Sequence, residues 1–133
     1  MLISASLAYA AGSGANADKV FEKVSSFTAT DGQTLYAQNC AGCHMPKGEG
    51  AKGVGMYPHL AKNSNVENPS YTGYVVMYGL RGMPSFEPDL NDEQIAAVAN
   101  FVSVEFGNKG TSKLSAEDMK AIRPEKTVEY IDW

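Results

Sequence analysis

Cysteine and histidine are both scarce in this chain of 133 residues, which contains two of each. No run of about 18 or more apolar residues occurs, so the sequence predicts no membrane anchor. Strand-like alternation is nearly absent, which argues against a β-rich fold. The formal net charge of −4 argues against nucleic acid as a partner and favours docking on a surface with some positive charge. A hydrophobic content of 44% is ordinary for one globular domain.

Both cysteines lie within residues 40–44, where Cys40 and Cys43 stand three positions apart and His44 follows directly. Residues i and i+3 of a helical turn project to the same side, so each thiol can add to one vinyl group of the same haem edge. The imidazole of His44 then lies under the iron as a metal ligand. The spacing therefore predicts the attachment site of one covalent haem c.

Two other sites use cysteines at this spacing, a zinc site and a thioredoxin-like redox site. A structural zinc site needs four ligands, and beyond His44 the chain offers one other histidine, His59, and no further cysteine. A thioredoxin-like redox motif requires a strand-to-helix setting in a βαβ unit, and strand patterning is missing around the motif. Haem attachment is the interpretation that the sequence favours.

A haem iron that carries electrons without binding small molecules needs a second axial ligand. Met83 is the best candidate, because it stands between Gly82 and Pro84 on a loop that can approach the haem plane closely. The alternative for Met83 is a methionine that fills a gap in the core. His59 is the rival ligand, and a bis-histidine iron would have a lower reduction potential than one bound by a thioether.

Helix-start signals precede four stretches of the chain, 30–40, 68–79, 91–106 and 115–122. Two of them are capping boxes, formed by the pairs Thr30 and Gln33 and Asn91 and Gln94, and Ser115 with Asp118 caps a third stretch. The remaining stretch starts with Asn68 followed by proline and stops at Gly79. A weak apolar pattern over residues 18–26 predicts a further helical turn or two. Residues 45–65 are rich in glycine and proline, so we expect a loop that wraps around something flat.

These motifs together resemble the class I bacterial cytochromes c over roughly residues 31–107. The resemblance is carried by Gly32, Tyr36, the 40–44 motif, Gly48 with Gly50, and the segments 58–61, 79–86 and 92–106. It implies an all-α cytochrome c fold, with three to five helices wrapped around one covalently bound haem. It also implies that the first and last core helices cross at Gly32, with Tyr36 near Phe101.

The resemblance assigns roles to further residues. The carbonyl of Pro58 is expected to accept a hydrogen bond from the second nitrogen of His44, which orients the ring and raises its basicity. Apart from the resemblance, Arg81 is a candidate to pair with the haem propionates, as are the tyrosines Tyr57, Tyr71 and Tyr74; the alternative for each is a packed or solvated side chain. The cofactor-binding set is then Cys40, Cys43, His44, Pro58, Arg81 and Met83, and the metal ligands are His44 and Met83.

One-electron transfer is the function that these features predict, with no substrate chemistry and therefore no enzyme activity. Residues 71–86 are similar to small cytochrome subunits that accept electrons from periplasmic dehydrogenases. The expected partners are redox proteins, with a dehydrogenase as donor and an oxidase or another cytochrome as acceptor. Alternatives are a subunit tethered in a larger oxidoreductase complex and a ligand-binding or peroxidatic haem protein.

Three regions are expected along the chain. Residues 1–17 resemble the end of a signal peptide, with small-x-small cleavage sites at 8–10 and 15–17, although no basic residue precedes the apolar stretch; a flexible tail is the alternative. Residues 18–107 form the cytochrome c domain. Residues 108–133 form an extension that either packs on the domain or binds a partner through the only tryptophan, Trp133. Export to the periplasm is expected, where c-type haem is matured in bacteria.

Overall fold

The computed structural model describes residues 27–53 and 55–125. These residues form five helices and no strand: α1 Gly32–Asn39, α2 Ala41–His44, α3 Pro69–Tyr78, α4 Asp92–Val104 and α5 Ala116–Ile122. The prediction of an all-α fold is confirmed. No helix in the described ranges is long and apolar enough to cross a membrane. The predictions for residues 1–17 and 18–26, and for Trp133, lie outside the described residues.

Helix caps follow the sequence prediction at three of the four expected sites. Asn68 caps α3, and the capping boxes that begin α4 and α5 are both formed. The prediction for α1 was wrong by one residue, because Asp31 rather than Thr30 is the cap and its carboxylate accepts a bond of 2.8 Å from the backbone of Thr34. A carboxylate at this position is also favoured by the helix dipole.

Helix α4 ends at Val104, two residues before the predicted end at Phe106. Glu105 is extended, with φ −88° and ψ 173°, and ends the helix, and Phe106 then takes a left-handed φ of 58° with its ring beside that of Tyr36. The centroids of these two rings are 4.9 Å apart. Aromatic packing against α1 therefore replaces the last helical turn.

The core forms where α4 packs against α1, α3 and α5. The crossing with α1 is close at Gly32, where an added Cβ would lie 2.5 Å from the Cβ of Phe101 and would also meet the carbonyl oxygen of Ala97. Tyr36 packs beside Phe101, with ring centroids 5.8 Å apart. The expected close approach and aromatic pair are both confirmed.

Residues 108–125 continue from α4 and cover one side of the helices. Buried Asn108 donates to the carbonyls of Leu60 and Val102 at 2.9 and 2.8 Å and accepts a bond from the backbone of Asn63. Leu114 and Met119 are buried, and the space left by Gly73 of α3 admits both side chains. This part of the extension is thus tied to the domain by polar bonds and by apolar burial.

Candidate haem site

Cys40 joins α1 to α2, and Cys43 lies one turn further on within α2. Cys40 ends α1, and its carbonyl accepts bonds from the backbone nitrogens of Cys43 at 3.1 Å and His44 at 2.9 Å. Cys40 is half-buried and Cys43 is exposed, and both are free thiols in the described structure. Two unpaired thiols one helical turn apart match the spacing that thioether bonds to one haem require.

His44 has a fixed orientation. Its ring is buried, and Nδ1 lies 2.9 Å from the carbonyl oxygen of Pro58. A carbonyl can only accept, so Nδ1 carries the proton and donates. The other nitrogen, Nε2, is left as the basic atom with its lone pair available to a metal. This arrangement is the one that tunes and orients a metal-binding histidine.

Pro58 is held beside His44 by the glycine-rich loop. The backbone of Gly50 donates to the carbonyl of His44 at 3.0 Å, and the carbonyl of Gly48 accepts from Leu60 at 2.7 Å. Gly50 has a φ of 68°, and an added Cβ would lie 2.7 Å from the carbonyl carbon of Pro58. Glycine is therefore required for the close approach that brings the carbonyl to the ring.

Tyr36 anchors the start of the same loop. Its hydroxyl donates a 2.8 Å hydrogen bond to the carbonyl of Met45, which itself has a positive φ of 67°. Burial raises the pKa of Tyr36 to about 12, with smaller contributions from the charges of Cys40 and Glu49. The phenol therefore stays protonated and acts as a donor near neutral pH.

Met83 lies on a tight turn directly after α3. Gly79 ends the helix with a φ of 74°, and the backbones of Leu80 and Met83 exchange hydrogen bonds of 3.1 and 3.0 Å. Met83 is half-buried against the same core as Cys40, whereas Arg81 on the tip of the turn is exposed. The turn fixes the backbone on which the thioether is carried.

The other methionines have different environments. Met77 and Met119 are fully buried core residues, with exposures of 0% and 1%, which is typical of packing. Met56 is 83% exposed on the glycine-rich loop. Met45 is also half-buried on a loop with a hydrogen-bonded backbone, but it directly follows His44, so Met83 is the half-buried loop methionine that lies on a separate segment.

The tyrosines proposed for propionate binding are dispersed. Tyr57, Tyr71 and Tyr74 are all exposed, at 41%, 44% and 55%. Tyr74 packs against Tyr78 with ring centroids 4.7 Å apart and lines a groove beside Ile122 at the end of α5. The structure thus brings His44 and Pro58 together beside Cys40 and Cys43 and places Met83 on a separate turn, while Tyr74 lines a groove together with residues of the extension. His59 follows Pro58 and is exposed.

The thiol chemistry argues against the two alternative interpretations. Burial, followed by the nearby charge of Cys43, raises the pKa of the Cys40 thiol to about 12 in the haem-free polypeptide. A thioredoxin-like cysteine needs a lowered pKa to form the reactive thiolate, so this environment disfavours that chemistry. Within residues 27–53 and 55–125, no group of three or more His, Cys, Asp or Glu side chains could hold a metal ion such as zinc.

Several residues that support these segments carry no signal in the sequence. Asn108 ties the segment that follows Pro58 to α4, and Arg123 bonds to Glu87 and to Asp92. The partners in these contacts are separated by 31 to 48 residues along the chain. No local pattern links such distant positions, so only the folded chain identifies them.

The donor set fits haem c. Two free thiols and a histidine with a free Nε2 occupy one turn, and a thioether lies on a fixed turn against the same core. In comparisons with known proteins, residues 27–102 match the family described as cytochrome c oxidase, cbb3-type, subunit III. The chain belongs to the class I c-type cytochromes. This cytochrome carries covalently bound haem c, transfers electrons through it, and is an electron carrier rather than an enzyme.

Relatives of this cytochrome include both small and large proteins. Cytochrome c-552 of Thermus thermophilus is 35% identical, with 72% of this chain and 86% of the relative covered. The fructose dehydrogenase cytochrome subunit of Gluconobacter japonicus is 38% identical, with 71% and 22% covered. The cytochrome c subunit of the quinone alcohol dehydrogenase of Gluconobacter oxydans is 33% identical, with 69% and 22% covered. The chain therefore spans about a fifth of the length of the dehydrogenase subunits.

Proposed function

We propose that Cys40 and Cys43 attach the haem, that His44 and Met83 are its axial ligands, and that the protein accepts electrons from an exported dehydrogenase. The observation that carries the assignment is the hydrogen bond between His44 Nδ1 and the carbonyl of Pro58, because it leaves Nε2 as the free basic nitrogen beside both thiols. Bound haem supplies an iron that alternates between the ferrous and ferric states.

Each residue around the proposed haem has a distinct task. The Pro58 carbonyl keeps the proton on Nδ1 and prevents rotation of the ring of His44. The turn of residues 80–83 fixes the backbone that carries the thioether of Met83. A thioether ligand would favour ferrous iron and raise the reduction potential. Arg81, exposed on that turn, carries a positive charge that can offset a haem propionate.

The axial ligand is tested with a matched pair of variants, Met83→Ala and Met56→Ala. Ferric iron bound to a thioether has a weak charge-transfer band that bis-histidine haem lacks. We expect the band to disappear in Met83→Ala and to persist in Met56→Ala, since Met56 is exposed on a different loop. Loss of the band only in Met56→Ala would contradict the assignment.

Haem attachment is tested by replacing both cysteines with alanine. Acidic solvent extraction should then release the haem, because no thioether bond holds it. The single variants Cys40→Ala and Cys43→Ala should each retain haem through one bond. Haem that resists extraction from the double variant would show that another residue provides the attachment.

The partner and the compartment are proposed from the relatives. Two of them are named as cytochrome subunits of fructose and alcohol dehydrogenases, which supports a dehydrogenase as donor and an oxidase or a further cytochrome as acceptor. Haem c attachment supports a periplasmic location after cleavage of a signal peptide. Cell fractionation tests the location, and haem-containing protein found in the cytoplasm would contradict it.

A haem subunit within a larger complex is the second candidate. It is favoured because the related segment makes up about 22% of each dehydrogenase subunit, so the same domain also occurs as part of a longer protein. Co-purification of the full chain and of a chain ending at Glu125 separates the candidates. The shorter chain keeps the packed residues Leu114, Met119 and Arg123, so loss of a stoichiometric complex would indicate a contact made by residues 126–133. A monomer with unchanged electron transfer in both forms supports a free carrier.

A further inference from the structure

The guanidinium of Arg123 joins the end of α5 to the segment that follows Met83. It donates to the carbonyl of Glu87 at 2.8 Å, to Glu87 Oε1 at 3.1 Å, to the carbonyl of Leu90 at 2.8 Å and to Asp92 Oδ1 at 2.7 Å. One side chain of the extension therefore holds the four residues 87–90 at both ends and fixes them to the first turn of α4. A planar guanidinium with several donors is suited to such multiple contacts.

The buried carboxylate of Glu87 depends on Arg123 for its counter-charge. Its side chain is 6% exposed, and among the described residues its Oε2 has no hydrogen-bond partner. Arg123 is the cation that pairs with it, so removal of the guanidinium leaves a buried carboxylate without a counter-charge. Such a group must take up a proton or move toward water, and movement displaces the backbone that carries it.

The backbone of Glu87 is linked to the turn that carries Met83. Its nitrogen donates to Ser85 Oγ at 3.2 Å, and that hydroxyl donates to the carbonyl of Met77 in α3. The backbone of Phe86 donates to Val76 at 2.9 Å. Residues 84–87 thus form a short bonded segment with Met83 at one end and the Arg123 contact at the other.

We propose that Arg123 is a positioning residue, which keeps the thioether of Met83 on the iron by fixing the segment 84–90. The inference rests on the proposed ligation by Met83. It follows from an asymmetry between the two ligands: His44 adjoins a cysteine that attaches the haem, whereas Met83 lies on a loop that hydrogen bonds and packing against the core hold in place. A contact that stiffens this loop therefore acts mainly on the methionine side.

The test measures how fast imidazole displaces the thioether from ferric holoprotein, followed by loss of the sulfur-to-iron charge-transfer band. In Arg123→Gln we expect displacement at least about tenfold faster than in wild type, because tenfold corresponds to the loss of only one of the four hydrogen bonds that the guanidinium donates. Arg123→Lys keeps the positive charge but lacks the several nitrogen donors of the guanidinium. Imidazole should therefore also displace the thioether faster in this variant. It serves as the measured variant if Arg123→Gln does not fold.

Two control variants separate positioning from general loss of stability. Lys120→Gln removes a charge from an exposed position of α5, and Leu114→Ala removes a buried side chain of the extension that packs at Gly73 of α3. In both variants imidazole should displace the thioether at the wild-type rate, although Leu114→Ala should unfold at a lower urea concentration. If Leu114→Ala accelerates displacement as much as an Arg123 variant of equal stability, the positioning role is wrong.

The positioning role of Arg123 and iron ligation by Met83 can be contradicted separately. If Met83→Ala loses the band while both Arg123 variants exchange imidazole at the wild-type rate, the ligand assignment holds and the role of Arg123 is contradicted. If Met83→Ala retains the band, Met83 is not the ligand and both statements are contradicted. Faster exchange in the Arg123 variants, with unchanged controls and a band that depends on Met83, supports the proposal.

Discussion

Replacement of Gly32 by alanine tests the helix crossing on which the core is built. Two effects oppose each other. Alanine is favoured over glycine in a helix by roughly 0.5 to 1 kcal/mol, and the gain is smaller at the first helical position. Against this, the new Cβ would lie 2.5 Å from the Cβ of Phe101 and would also contact the Ala97 carbonyl oxygen. Overpacking of this kind costs about 1 to 3 kcal/mol, so the steric effect should prevail.

We therefore expect Gly32→Ala to lower the free energy of unfolding by about 1 to 2 kcal/mol, after the helix gain is subtracted. The assay is urea unfolding of ferric holoprotein, followed by far-ultraviolet circular dichroism. Gly42→Ala is the matched control, because Gly42 is exposed on α2 and an added Cβ meets nothing within 4 Å. A Gly32→Ala protein as stable as wild type, with an unchanged Gly42→Ala protein, would refute a tight crossing.

Two further predictions concern a cap and a buried amide. Bonds from Thr34 lower the pKa of Asp31 below 3.8, so its carboxylate stabilises the fold above that pH and the effect disappears as pH falls through the lowered value. Asp31→Asn keeps the cap without the charge, so its difference from wild type in melting temperature should vanish in acid; a constant difference would contradict this. Asn108→Ala should cost about 2 to 4 kcal/mol in urea unfolding, because the buried carbonyls of Leu60 and Val102 lose their donor. A loss below about 1 kcal/mol would show that water replaces the amide.

Much of the fold could be predicted from local signals. The caps at Asn68, Asn91 and Ser115 lie within four residues of the groups that they bond, so short-range chemistry alone locates the starts of three helices. Two predictions were wrong, the cap residue of α1 and the last residue of α4. Thr30 and Asp31 are adjacent capping residues, and the end of α4 depends on aromatic packing of Phe106.

The candidate site also combines features that local sequence predicts with features that only the folded chain shows. The spacing of Cys40, Cys43 and His44 identifies the cofactor, because thioether attachment and ligation use one helical turn. The contact between His44 and Pro58 spans 14 residues and was expected from the family resemblance rather than from any local pattern. The contacts of Arg123 span more than 30 residues and could not be expected at all.

The sequence by itself determined the cofactor, the all-α class and the starts of most helices, because each depends on groups that are neighbours along the chain. Only the tertiary structure decided what holds the loops on either side of the proposed haem, namely Asn108 for the segment after Pro58 and Arg123 for the segment after Met83. The physical reason is that a buried amide or guanidinium gains its partners only after distant segments have packed together.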